Sequence, residues 1–298
     1  MVLALPSRLD GQAMLAAPAR TDIHALARAW FPAAAWDGRP PGAPDPAPAD
    51  TRPVGARFRG LVEQRSAPAE PAAIRLDEHT RLVGPVPLTD DDALRAGVPR
   101  GGLEWYALEG EASVQARRWL VAAARHTGGL VVPADRSRVM APDPEADIDL
   151  TLWSPIPLTL DEVLPLARPA MSGARVSAAG DRSPAAGPRP FEVVAEFEYD
   201  GSVALRVGRS NEPPAVLATL EWRDFGPWAY RVEWRPLDPA ERDVEHPSRL
   251  HVIARQRVAP TIARVAGALW RAAGGTVVSG GGFVVGPREV ARRATAAR

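Results

Sequence analysis

"RHTGGLVV" (125–132) and "RAAGGTVV" (271–278) stand 146 residues apart in a chain of 298. In each, a Gly-Gly pair follows an alanine-rich stretch with helical apolar spacing and precedes a short β-branched run. Glycine takes up the left-handed conformation past a helix end without steric cost, so each pair reads as a helix stop followed by a resumed strand. A phosphate cradle would need its glycines ahead of a helix, where N–H groups are free. Aligned on the glycines without gaps, 104–132 and 250–278 share Arg118/Arg264, Ala122/Ala268, Arg125/Arg271, both glycines and both following valines. "LEWYALEG" (103–110) alternates as a strand, Ser113 is placed to cap a helix, and Ala116, Trp119, Leu120 and Ala123 form its apolar stripe. In the second copy, 250–257 is expected as a strand. It leads to a helix with Pro260 in its first turn and a stripe of Ile262, Val265, Ala266, Leu269 and Ala273. The expectation is an α+β fold, antiparallel sheets with helices packed on one face, in two uneven related modules that repeat strand–helix–Gly-Gly–strand.

A second echo bears on where the copies begin. "PVPLTDDDAL" (85–94) and "PIPLTLDEVL" (155–164) share prolines, a leucine and a threonine, with Thr89 and Thr159 as candidate N-caps. On that pairing the second copy carries the stretch between Thr159 and Gly274 as an insertion. Two proline- and glycine-rich stretches, 37–53 and 172–190, offer little to bury. They divide the chain into an N-terminal helical segment (1–36), a linker (37–72), a first module (73–171), a second linker (172–190) and a second module (191–298).

Two hairpins are expected in the second module. The first pairs Phe197 with Val203, Ala195 with Leu205 and Val193 with Val207 around a Tyr199-Asp200-Gly201 loop. The second pairs Trp222 with Tyr230 and Leu220 with Val232 around Phe225-Gly226-Pro227. That register assigns Trp222 and Trp234 to the core. It leaves Trp228, with Phe225, near the loop as a candidate anchor for a partner, since tryptophan buries much area with few rotors to freeze.

Composition closes several classes of chemistry. The chain has no cysteine, and its 36 basic residues are all arginine, balanced by 36 acidic ones. Thiolate, zinc-thiolate, Schiff-base and P-loop lysine chemistry are therefore excluded. Alanine, arginine, proline and glycine dominate together, as in a GC-rich genome. The start "MVLALPSRLDG" lacks a basic n-region and breaks at Pro6, so neither signal peptide nor anchor is expected, and the location expected is cytoplasmic. Arg288, Arg292 and Arg293 form a basic tail, a weak candidate for an acidic partner or nucleic acid. Asp243, Glu245, His246 and His251 form a cluster with metal-ligand chemistry, on a loop expected to enter a strand. "DPEADIDL" (143–150) would place Asp143, Glu145, Asp147 and Asp149 on one face if it were a strand. The function expected is that of a non-enzymatic cytoplasmic protein that binds or assembles with another protein through a sheet or hairpin surface. No cofactor and no membrane are expected. The alternative is an enzyme with a His/carboxylate centre near 243–251.

Overall fold

The computed structural model describes residues 9, 11–38, 40, 72–86, 91, 94, 102–177, 189–244 and 246–295. Among them are two six-stranded antiparallel sheets. The first has strand order β2-β3-β4-β5-β1-β6, from β1 (Met14–Pro18), β2 (Ala35–Asp37), β3 (Ala73–Arg75), β4 (Thr80–Val86), β5 (Leu103–Gly110) and β6 (Leu130–Val132). The second has order β12-β7-β11-β10-β9-β8, from β7 (Leu150–Ser154), β8 (Arg175–Ser177), β9 (Phe191–Phe197), β10 (Gly201–Arg209), β11 (Trp228–Arg235) and β12 (Thr276–Ser279). Six α-helices have their bounds among the described residues: α1 (Ile23–Trp30), α2 (Val114–Thr127), α3 (Leu160–Ala167), α4 (Trp222–Phe225), α5 (Arg249–Ala273) and α6 (Pro287–Thr295).

Written from its far edge, the second order is the first one repeated. β7, α3, β8, β9, β10, β11, α5 and β12 follow one another as β1, α1, β2, β3, β4, β5, α2 and β6 do. The registers agree as well. Trp36, Ile74, Leu82 and Leu108 pair in a row across the first sheet, as Val176, Val193, Leu205 and Val232 do across the second. Leu15 lies between Tyr106 and Val131, and Leu152 between Tyr230 and Val277. Apart from Val176, which is exposed at the sheet edge, these inward-facing residues, with the buried stripes of α1 and α2 or of α3 and α5, make the two principal cores.

The Gly-Gly pairs keep the same contacts in both copies. Gly128 (φ 70°) and Gly274 (φ 63°) end α2 and α5, each donating its N–H back to the helix. A Cβ on Gly129 would overlap the carbonyl oxygen of Ala16 on β1, and one on Gly275 that of Trp153 on β7. Each second glycine thus lets the returning strand lie close against its neighbour.

Several expectations are corrected. Residues 250–257 are not a strand but the first turns of α5, where Ser248 caps the helix by accepting the His251 N–H at 3.2 Å. Burial of His251, Ala254, Arg255 and Val258 has helical period, and Pro260 lies inside the helix. The strand before the second Gly-Gly helix is β11. Thr89 lies outside the described residues, and the counterpart of Thr159 is Asp22: each caps the helix that follows the first strand of its module. The first module has its own four strands, β2 to β5, between α1 and α2, so the second carries no inserted hairpins.

Strand pairing also divides the chain elsewhere than composition suggests. β1 and α1 belong to the first sheet and β7 and α3 to the second, which puts the division between Val132 and Leu150. The stretch 37–53 follows from the end of β2 on the way to β3, and 172–190 carries β8 and leads to β9, the same step in each module.

The first hairpin forms on the expected face but slips by one pair, with Phe197 opposite Gly201 and Val193 opposite Leu205. Gly201 (φ 84°) opens β10 where a Cβ would overlap the Arg235 carbonyl oxygen of β11. The second hairpin does not form. Residues Ala215–Thr219 make a 3-10 turn, Trp222–Phe225 a short helix, and β11 pairs with β10 and β7. Strands β10 and β7 offer longer apolar edges than the short Leu220–Trp222 stretch that follows Pro213-Pro214.

Candidate functional site

Trp228, the leading expected anchor, opens β11 and is only 8% exposed within the second core. Phe225 is buried on the outer face of the second sheet with Trp153, Leu217, Ala229 and Val278. Neither presents a surface. Trp222, assigned to the core by the pattern, is 55% exposed, its ring edge-on to Phe225 at 5.2 Å. Trp234 is buried as expected, donating its Nε1–H to the Asp200 carbonyl.

The other candidate sets are dispersed. His251 is buried on α5 against the Trp234 ring (4.7 Å), with Glu241 3.5 Å from Nδ1; burial, the largest influence, holds its pKa below the usual value. His246 is exposed and contacts Arg138. Glu245 and the side chain of Asp243 lie outside what is described. Among the described residues no three His, Asp or Glu side chains group as metal ligands. Residues 143–149 form no strand. Asp143 pairs with Arg255, Asp149 with Arg242 and the Trp234 N–H, and Asp147 accepts the Gly281 N–H at 2.6 Å. Arg292 and Arg293 are not free cations of a tail: both bind Glu289 on α6, and Arg293 also donates to the Asp147 carbonyl. Those two arginines hold the Glu289 carboxyl down to about 2. Arg288 is exposed.

What the structure brings together instead is a seam between the modules. The "SGGGF" stretch turns back after β12, and Trp30 of α1 donates its Nε1–H to the Gly281 carbonyl at 2.9 Å. Gly282 (φ 79°) leaves room for that indole, since a Cβ there would lie 3.0 Å from Trp30 Nε1. Phe283 then enters the core of the first module, where it stacks on His126 of α2 at 4.4 Å between ring centres. Loss of hydration lowers the His126 pKa, Arg293 adds to this, and Asp147 and Glu289 oppose it.

Two depressions open along the seam and share only His126 and Phe283. One is a shallow groove of about 480 Å³ between α1 and the 3-10 turn, its apolar lining including Leu26, Ala29, Val216 and Leu220. The other is a cleft of about 420 Å³ between α2, the connection at 144–148, α5 and α6. Arg125 lines this cleft, and its Nε is buried without a hydrogen-bond partner. A buried donor left unpaired costs about 1–3 kcal/mol. Sequence pattern offered no route to this arrangement, because helical periodicity reports the buried stripe of α2 rather than what its flank faces.

The fold and seam define a class: a two-module α+β protein with a duplicated all-antiparallel unit and a cleft where the copies meet. Comparison of the chain with protein-family models, curated proteins and solved structures found no match. No helix among the described residues is long and apolar enough to cross a membrane.

Proposed function

We propose that the chain is a non-enzymatic binding or assembly protein that engages another protein through the apolar rim of Leu220 and Trp222. The exposure of Trp222 carries this reading. Its ring is oriented by Phe225 yet open to solvent, and Leu220, two residues earlier, lines the groove beside α1. A tryptophan whose ring is already held in place loses little freedom on binding, and such residues dominate interface energetics. The partner that fits is a protein segment presenting an apolar side chain to the groove.

Trp222→Ala tests this in the full chain. Thermal unfolding should stay within about 1 kcal/mol of wild type, because the side chain is mostly in solvent. Proteins captured by the wild-type chain from its native organism should be lost from the variant. A folded variant that keeps its whole captured set would overturn the reading.

A further inference from the structure

The electrical balance of the 420 Å³ cleft identifies a ligand class separate from the partner surface. We infer that the cleft binds a small zwitterion, an α-amino acid with an apolar side chain. Seven titratable or cationic groups face it. Of these, Glu289 is taken up by Arg292 and Arg293, and the Asp147 carboxylate by the Gly281 N–H. The His126 ring stacks on Phe283 through its face. Arg125 has a buried, unpartnered Nε, and neither it nor Glu145 has an ion-pair partner within 4.0 Å among the described residues, although Glu145 lies within electrostatic reach of Arg292.

Three arginines and three carboxylates line the cleft, and Arg125 and Glu145 are the two whose charged groups have no hydrogen-bond or ion-pair partner among the described residues, which constrains the ligand. A simple anion drawn to Arg125 would meet Glu145, Asp147 and Glu289; a simple cation would meet Arg125, Arg292 and Arg293. A molecule carrying both charges answers both, its carboxylate on the planar guanidinium fork and its ammonium toward Glu145. Gln256 of α5 also lines the cleft. Ala122, Ile148, Ala259 and Phe283 provide apolar walls for a side chain, and the volume is that of small-molecule sites.

Calorimetric titration of the full chain with L-leucine, L-methionine and L-phenylalanine tests the inference, with the His126 imidazole followed by NMR. At least one should bind with one-to-one stoichiometry and move the His126 signals. For leucine, 4-methylpentanoate lacks the ammonium and 3-methylbutylamine the carboxylate; corresponding analogues exist for the other two. Each should bind about tenfold or more weakly than its parent, as expected when one charge-assisted contact is lost. Arg125→Gln should weaken the amino acid but not the amine, which Arg125 repels, and Glu145→Gln, at an exposed position, should weaken the amino acid but not the acid. Trp222→Ala should leave amino-acid binding intact, so failure here and failure of the partner surface are separate results. Absence of binding by all three amino acids at 10 mM, an analogue as tight as its parent, or both cleft variants binding like wild type would overturn the inference.

Discussion

Between pH 7 and pH 5 the Asp149 carboxyl passes through its folded-state pKa. Burial, the dominant influence, lifts that pKa to about 6, although the Trp234 N–H and Arg242 both favour the charged form. A carboxyl raised above its unfolded value binds a proton more readily in the folded chain, so its ionisation above pH 6 costs stability and acidification relieves that cost. For a rise from 3.8 to about 6, lowering the pH from 7 to 5 should return about 1 kcal/mol. Asp149→Asn keeps an acceptor for Trp234 but cannot titrate, so its stability should lack that gain. Denaturant unfolding of both proteins at the two pH values checks this, and parallel pH dependence would refute it. The tryptophans give a second test at this scale. Trp228→Ala should cost about 3–5 kcal/mol as a core truncation, against almost nothing for Trp222→Ala, measured in the same unfolding experiment.

At the scale of elements, the two Gly-Gly stops should be equally intolerant of side chains. Gly128→Val and Gly274→Val force a β-branched residue into positive φ, and each should destabilise by about 1–3 kcal/mol in thermal unfolding. Gly129→Ala and Gly275→Ala should also destabilise, because the added methyl meets the Ala16 or Trp153 carbonyl rather than a yielding side chain. Wild-type melting in either pair would mean the stops are incidental. These glycines were legible in the sequence because only one residue type suits the conformation. The faces of β9, β10 and β11 were legible too, from strict alternation. Register was not, since a slip of two residues leaves every apolar side chain on its face. The first turns of α5 were misread for a related reason: "RLHVIARQ" satisfies the alternating pattern and the helical one, and only the Ser248 cap and the burial of Ala254, Arg255 and Val258 separate them. Trp222 and Trp228 changed places because the hairpin that would have set their faces lost to pairing with β7 and β10.

For the whole molecule, duplication was visible at the helix ends, yet its extent was not. Proline-rich stretches looked like boundaries between domains, whereas each lies within a module at the β2–β3 or β8–β9 step. The seam could not be read from sequence at all, because the residues that build it, Trp30, Arg125 and Phe283, are far apart in the chain and belong to no shared pattern. Its energetic weight can be measured. Phe283→Ala empties a position in the first module's core and should cost about 3–5 kcal/mol. Hydrogen exchange should accelerate in β1 and α2, more than a hundred residues from the substitution. Loss of protection confined to β12 and α6 would show that Phe283 serves its own module only.

The place of Phe283 also sets an order of events during synthesis. The strands and helices of the first module are complete once Val132 has been made, but the aromatic ring that closes its core is encoded 151 residues later. At about 5–20 residues per second, translation separates the two by roughly 8–30 s. Throughout that interval the nascent first module holds an unfilled apolar site beside His126 and Trp30. It is completed only when the glycine turn after β12 has delivered the ring, so the half of the protein made first must wait for the other before its core closes.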